Sequence, residues 1–443
     1  MKSNSRLHFE RSAEFGKRLE ALIPGGAHTY SKGRDQFPTQ APNGIVRGKG
    51  CWLWDQDDNR LVDWGMGLTS VTLGHACDAV DDRVCAEIRK GVNFARPAAL
   101  ELEAAEALLA AIGIDGMVKF AKHGSTVTTA AVKLARAFTG KAVVACPIEQ
   151  PFFSFDDWFI GTTAADFGIP DDFKRYTARF RYGDLDDLAR VFKQSKDDVA
   201  CVIMEPMKFH RPPEGYLQAV KELCHAHGAL LIVDEMVSGC KWAVGGQQDY
   251  FGVQGDLSTW GKGIANGYGC TALVGRADIM RLGGIDDEGA RKLFLISTTH
   301  GAESSGLAAM IATLDYYARH DVIRRNWALG ESLKARLQTI IDELDMAAYL
   351  RLTGDPCLFV MENFGADGQP DLALRTYWMQ EMIARGICSQ GLFMPTPAHD
   401  EEAVNLTLDA FREAGLAYGD ALTTGVAGKL VGPAIKPVFR KHV

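Results

Sequence analysis

One lysine, Lys262, stands in the stretch WGKGIANGYG between Gly261 and Gly263, with the apolar run CTALVGR (270–276) directly after it. An amine in such company has four readings: a phosphate clamp, part of a dinucleotide loop, a solvated surface charge, or a nucleophile that condenses with a carbonyl. The two loop readings fit poorly. A dinucleotide fingerprint needs G-x-G-x-x-G straight after an apolar strand. Here the spacing is G-x-G-x-x-x-G, and the residues before it, GDLSTW, do not read as an apolar strand. The G-x-x-x-x-G-K-[ST] spacing of a nucleotide phosphate loop is absent as well.

Three further stretches carry groups that could act with an amine. Asp234 and Glu235 close the apolar run ALLIVDE (229–235). A carboxylate leaving a buried strand must meet a cation or strong donors, because burial without a partner is costly. A helix cap or a plain ion pair meets that need as well as a ligand does. Gly124, Ser125 and Thr126 stand between a strand and a helix start, where free N–H groups and hydroxyls make an anion site. Ordinary N-capping uses the same residue types. QPFFSFDDWF (150–159) follows the strand KAVVACP, so Phe152 could stack on a flat ring or pack in the core.

The elements that must position these groups alternate. Strands are expected at 117–122, 141–147, 200–206, 229–235 and 270–276, and helices at 101–113, 128–140, 215–228 and 305–320. Such alternation gives an α/β architecture with a largely parallel sheet, whose ligands bind at the carboxyl ends of the strands. The first 75 residues differ in texture: GCWLWDQDDNRLVDW (50–64) reads as a hairpin. After about residue 325 a long charged helix, the strand PCLFVME and a helix around RTYWMQEMIARG follow. The expected organisation is a large cofactor-binding domain at 76–325 and a smaller one assembled from 1–75 and 326–443.

Composition narrows the function. The 443 residues carry a net charge of −8, and no basic stripe interleaves with aromatics, which argues against a nucleic-acid partner. No apolar run approaches the roughly 20 residues that span a bilayer. The charged start, MKSNSRLHFERSAEFGKRLEAL, lacks a signal-peptide core, so a cytoplasmic location is expected. The ten cysteines include no C-x-x-C pair, which points to reduced thiols and to neither zinc nor a disulfide framework. No metal is expected.

Taken in order, the chain offers an anion-binding turn, a strand-end aromatic, a strand-end carboxylate and an isolated lysine. Pyridoxal phosphate needs each of these: donors for its phosphate, a stacking partner for its ring, an acid for its pyridine nitrogen and an amine for its aldehyde.

With PGGAHTYSKG near the start, GCWLWDQDDNRLVDW…LGH, VDEMVSG, DLSTWGKGIANGYGCTALVGR and STTHGAE in order, the sequence resembles the class III pyridoxal-phosphate aminotransferases over nearly its whole length, and most of all their glutamate-1-semialdehyde aminomutase-like branch. The resemblance implies fold type I, with a mostly parallel seven-stranded-type sheet and a smaller α/β domain from both chain ends. It implies that Lys262 forms the imine with the cofactor, that Asp234 pairs with the pyridine nitrogen, and that Phe152 and Met236 cover the two ring faces. Gly124, Ser125 and Thr126 match the phosphate turn, and Glu205 matches a supporting acid. Thr298 matches a threonine that reaches the phosphate of a neighbouring subunit, which implies a homodimer.

The departures bear on the substrate. The family's N-S-G-T-E turn is KHGST here, so Thr126 replaces the usual acid, and the stacking Tyr-His is Phe152-Phe153. Thr29 and Lys32 stand where aminomutases carry Ser and Arg for the substrate carboxylate, and lysine is not an equivalent bidentate clamp. The segments GTTAADFGIPDD and GLFMPTPAHDEE are shorter than the aminomutase loops that retain an intermediate. An aminotransferase is therefore expected, passing an amino group from a donor such as glutamate to an aldehyde or ketone from amino-sugar, antibiotic or polysaccharide chemistry. An intramolecular aminomutase and a non-catalytic binding protein on the same fold remain the alternatives.

Overall fold

The computed structural model describes residues 6–286, 289 and 291–442. The first five residues of the charged N-terminal stretch and the last of the basic KPVFRKHV tail lie outside them. The chain divides into two compact units. One comprises Thr69–Thr72, Asp78–Ile323 and Phe439–Val443; the other comprises Met1–Leu68, Leu73–Cys77 and Arg324–Val438.

The first unit is built on a seven-stranded sheet. Its spatial order is Met117–Ala121, Thr271–Gly275, Leu257–Trp260, Leu230–Asp234, Val199–Met204, Val143–Pro147 and Thr177–Phe180. Thr271–Gly275 runs antiparallel to both neighbours, and the remaining pairings are parallel. The central strands are buried along their whole length, as their unbroken apolar runs require when helices cover both faces. Helices Tyr216–Ala226 and Ser304–Arg319 fall in the expected stretches, and the helix expected at 128–140 begins four residues earlier, as Gly124–Thr139. One apolar cluster joins helix Gly124–Thr139 to one face of the sheet through Val127, Leu134, Ile203 and Ile232. A second joins Val202, Leu231 and Val233 to Val220 and Phe192 on the other.

The strand Leu257–Trp260 corrects the reading that no strand precedes Lys262. Two of its four residues are hydroxylic, which hid it, yet all four are buried. Ser258 Oγ accepts from Trp260 Nε1 at 2.9 Å, and the Thr259 hydroxyl donates to Asp234 Oδ1 at 3.0 Å, so neither polar group is buried without a partner.

In the second unit the expected hairpin is present: Trp52–Asp55 pairs antiparallel with Arg60–Asp63. Asp55 Oδ1 accepts from the backbone N–H groups of Asp57 and Asn59 and closes the turn. Ile387–Cys388 adds parallel to Arg60–Asp63, so the two ends of the chain share one sheet. Trp64, Trp378, Phe393 and Phe411 centre this unit's core.

Candidate functional site

Parallel pairing brings the carboxyl ends of several strands to one edge of the large sheet. Asp234 ends one strand; Glu205 follows Met204, Lys262 follows Trp260 by two residues, and the aromatic cluster follows Pro147. Ala121 pairs with Thr271, and Trp260 with Ala272, so the turn before helix Gly124–Thr139 opens on the same edge. The register sets Asp234 directly opposite Thr259, which places their side chains on one face within hydrogen-bonding reach.

Asp234 is buried, and its Oδ1 accepts from Met236 N at 2.9 Å and from Thr259 Oγ1. Its Oδ2 has no hydrogen bond among the described residues. Burial, and next the negative charge of Glu205, push its carboxyl up from the ordinary range to about 7. Lys262 sits in a left-handed conformation, φ +47°, which costs a residue with a Cβ about 1–3 kcal/mol. Its ammonium makes no hydrogen bond or close ion pair among the described residues. Burial lowers its pKa, against the raising influence of Glu205 and Asp234.

Met236 ties the lysine loop to the anion turn. A Cβ on Gly261 would lie 2.6 Å from Met236 Sδ and 2.9 Å from Thr271 Cγ2, and one on Gly124 would lie 3.2 Å from the same sulfur. Gly261 is in extended backbone that any residue can adopt, so close approach alone demands the missing side chain there. The two loops thus close against one thioether.

Helix Gly124–Thr139 has His123 as its N-cap, with no side-chain cap and no acid in its first turn. Thr126 N bonds back to His123 O, whereas the N–H groups of Gly124 and Ser125 have no partner among the described residues. Ser125 is buried, and its Oγ accepts from Phe155 N at 3.1 Å, which leaves its own proton free to donate. The Thr126 hydroxyl is engaged with His123 Nδ1 at 3.0 Å.

The aromatic segment is clamped to this helix. Thr128 Oγ1 donates to Phe153 O at 2.8 Å, Trp158 Nε1 donates to Thr129 Oγ1 at 2.9 Å, and Thr129 also bonds Ser154 and Asp156. Phe153 is 2% exposed and belongs to the core, whereas Phe152 is 48% exposed, its ring set edge-to-face with Phe159.

Glu205 is also buried, and the Gln150 amide braces its backbone on both sides, donating to Glu205 O at 2.7 Å and accepting from Glu205 N at 2.9 Å. Glu235 differs from its neighbour Asp234: Ser238 Oγ and the backbone N–H groups of Gln247 and Gln248 all donate to its carboxylate. Three expected residues remain: Thr298, Thr29 and Lys32. Thr298 is in an exposed coil, its carbonyl accepting from Gly301 N, and among the described residues no hydrogen bond joins it to the Lys262 loop. Thr29 and Lys32 belong to the other unit, exposed on a short turn where Lys32 N donates to Thr29 O.

Thr259 and Gln150 escaped the sequence reading. Period-two alternation through LSTW would have paired Thr259 with a strand end, but Gln150 lies 55 residues from the backbone it braces and leaves no local signal.

An open amine, a half-bonded carboxylate, free first-turn N–H groups and an exposed aromatic ring fit pyridoxal phosphate. Together with the sheet they define a fold type I pyridoxal-phosphate enzyme. The family model described as aminotransferase class-III matches residues 37–393, and the chain belongs to that family. It is 30% identical to the 3-aminobutyryl-CoA aminotransferase of Cloacimonas acidaminovorans over 417 residues, 92% of this chain and 97% of that one. It is likewise 30% identical to a glutamate-1-semialdehyde 2,1-aminomutase of Methanothrix thermoacetophila over 435 residues, 93% and 97% of the two chains. Among solved structures it is similar to an omega-transaminase from Sphaerobacter thermophilus, with a TM-score of 0.81 at 23% identity over 92% of this chain and 98% of that one. No helix among the described residues is long and apolar enough to cross a membrane.

Proposed function

We propose that this enzyme moves an amino group from a donor, glutamate in the first instance, to an aldehyde or ketone acceptor, with Lys262 as the reacting amine. The observation that carries the reading is the Lys262 ammonium, half-buried and without a hydrogen-bond partner among the described residues, on the loop that faces the half-bonded Asp234. Bound pyridoxal phosphate supplies an aldehyde for the donor's amine and an electron-withdrawing ring. Asp234 would hold the ring nitrogen in its protonated form, with Thr259 and Met236 N fixing the carboxylate's other oxygen. The N–H groups of Gly124 and Ser125, with the Ser125 hydroxyl, would take the phosphate, while Thr126 supports the turn through His123. Phe152 and Met236 would cover the ring faces, and Glu205 would tune the charge around them.

Lys262 Nζ would take the proton from the donor carbon that bears nitrogen and return it to the carbon on the far side of that nitrogen, a 1,3-shift that leaves the donor carbon as the one to be hydrolysed to a carbonyl. Burial favours the neutral amine that this transfer requires. A homodimer is part of the reading, with Thr298 reaching the phosphate held by the second copy. Thr29 and Lys32 would meet the substrate, and the cytoplasm is the expected compartment.

The test is an acceptor screen read as 2-oxoglutarate formed from glutamate, run beside a visible absorbance spectrum of the purified protein. A colourless protein that cannot be loaded with the cofactor, or one whose colour persists in Lys262→Ala, sinks the proposal. A second reading, an intramolecular aminomutase, is supported by the relatives that carry that name. Isomerisation of a single amino substrate with no acceptor present would favour it.

A further inference from the structure

One charged group beside this site has no part in holding the cofactor. The loop after strand Val199–Met204 runs EPMKFHRPP (205–213), which sets Lys208, His210 and Arg211 within four positions of a chain whose net charge is −8. Its backbone is pinned on three sides. Gln150 holds Glu205, the Tyr182 hydroxyl donates to Pro206 O, and Met207 N donates to Gln247 Oε1 at 2.9 Å.

From this fixed base Lys208 leans back over the site. Its Nζ lies 3.8 Å from Glu205 Oε1, with the Lys208 side chain 36% exposed and that of Glu205 7%. The ammonium makes no hydrogen bond among the described residues, so its donors are not committed. Met204 pairs with Val233, so Glu205 and the lysine over it leave the sheet at the same edge as Asp234, and the Lys208 charge adds to the lowering of the Lys262 pKa. Exposed Arg211, bonded to the Tyr250 hydroxyl at 2.9 Å, adds positive potential on the same loop.

We propose that Lys208 binds a second anionic group of the substrate, so that the preferred amines carry a carboxylate or phosphate-type group away from the reacting nitrogen. The inference rests on the aminotransferase reading and assigns the class of amine it takes. Glu205 holds Lys208 loosely in the free enzyme, and an incoming anion replaces that long contact with charge-assisted hydrogen bonds.

The experiment compares kcat/KM for 4-aminobutanoate, 3-aminopropylphosphonate and uncharged butylamine in the holoenzyme, Lys208→Met and Lys208→Arg. The ratio of charged to uncharged amine falls roughly tenfold in K208M and stays within about twofold in K208R. Whichever anion loses more names the group bound. An unchanged ratio for both anions overturns the proposal while leaving amino transfer intact. Because the ratio divides out any general effect passed through Glu205 or Lys262, a purely structural lysine would not move it.

Calorimetric binding of glutarate, which has no amine to transfer, gives an independent reading. About tenfold weaker binding in K208M supports the subsite even if no amine is turned over, in which case it is the transfer reading that fails. Equal binding in K208M, or none to the unsubstituted protein, overturns the subsite.

Discussion

The strand Leu230–Asp234 ends between two regions that treat adjacent carboxylates differently. On one side Glu235 is enclosed by the loop that carries Gln247 and Gln248, with donors from that loop and from Ser238. On the other, Asp234 faces the Lys262 loop with one oxygen bonded and the other not. Both acids are buried, and burial raises both to about 7. Depth and pKa therefore do not tell a fully bonded acid from one with an oxygen to spare. What differs is how completely the protein satisfies each, because a carboxylate with all its donors in place has nothing left to offer a ligand.

Substitutions on the two sides should separate along that line. The largest effect belongs to Lys262→Ala, which should reduce turnover by about 10^2 to 10^4-fold and remove the cofactor's visible band, without unfolding the chain. Urea unfolding of the apoprotein checks the last point: deleting an ammonium that has no partner should not destabilise it. Glu235→Ala should do the reverse and lower stability by about 3–5 kcal/mol, since it leaves three buried donors unmet. Asp234→Ala strands two donors and should cost measurably less in the same assay. Equal costs would break the comparison.

The pH dependence of cofactor binding sharpens it further. With its pKa raised to about 7, apoprotein Asp234 is protonated below that pH and cannot pair with a cationic ring nitrogen. Affinity for pyridoxal phosphate should therefore rise as pH increases through about 7. The part of that rise due to Asp234 should vanish in Asp234→Asn and persist in Glu235→Gln, as measured by spectroscopic titration at pH 6 to 8. The smallest effect is that of Thr259→Val, which removes one donor to Asp234. It should cost about 1 kcal/mol in unfolding and shift the Asp234 titration upward.

Much of this site could be read along the chain, and the parts that could not share a physical cause. Lys262 was legible because glycine neighbours and a following apolar run are poor company for a solvated charge. Asp234 was legible because an acid ending a buried strand must have a purpose. The largely parallel sheet also followed from alternating apolar runs and amphipathic helices. Strand Leu257–Trp260 was hidden by Ser258 and Thr259, whose hydroxyls look solvated until the register sets one against Asp234. Thr177–Phe180, an edge strand with three partly buried residues before the buried Phe180, gave no apolar run to notice. The status of Glu235 depended on backbone groups 12 and 13 residues further on, and that of Glu205 on an amide 55 residues back. Hydrogen bonds that close over such separations leave no local pattern.

The groups gathered at the sheet edge arrive on separate connections: the turn before helix Gly124–Thr139, the segment after Pro147, the loop after Met204, the bend after Asp234 and the loop after Trp260. Each can lengthen, shorten or change residues while the ladder holds the others in place. Such modularity makes the scaffold evolvable, because selection can revise what approaches the lysine without rebuilding what holds it. The basic loop from Lys208 to Arg211 is then a natural first target for redirecting this enzyme to new amines, ahead of any residue within the strands.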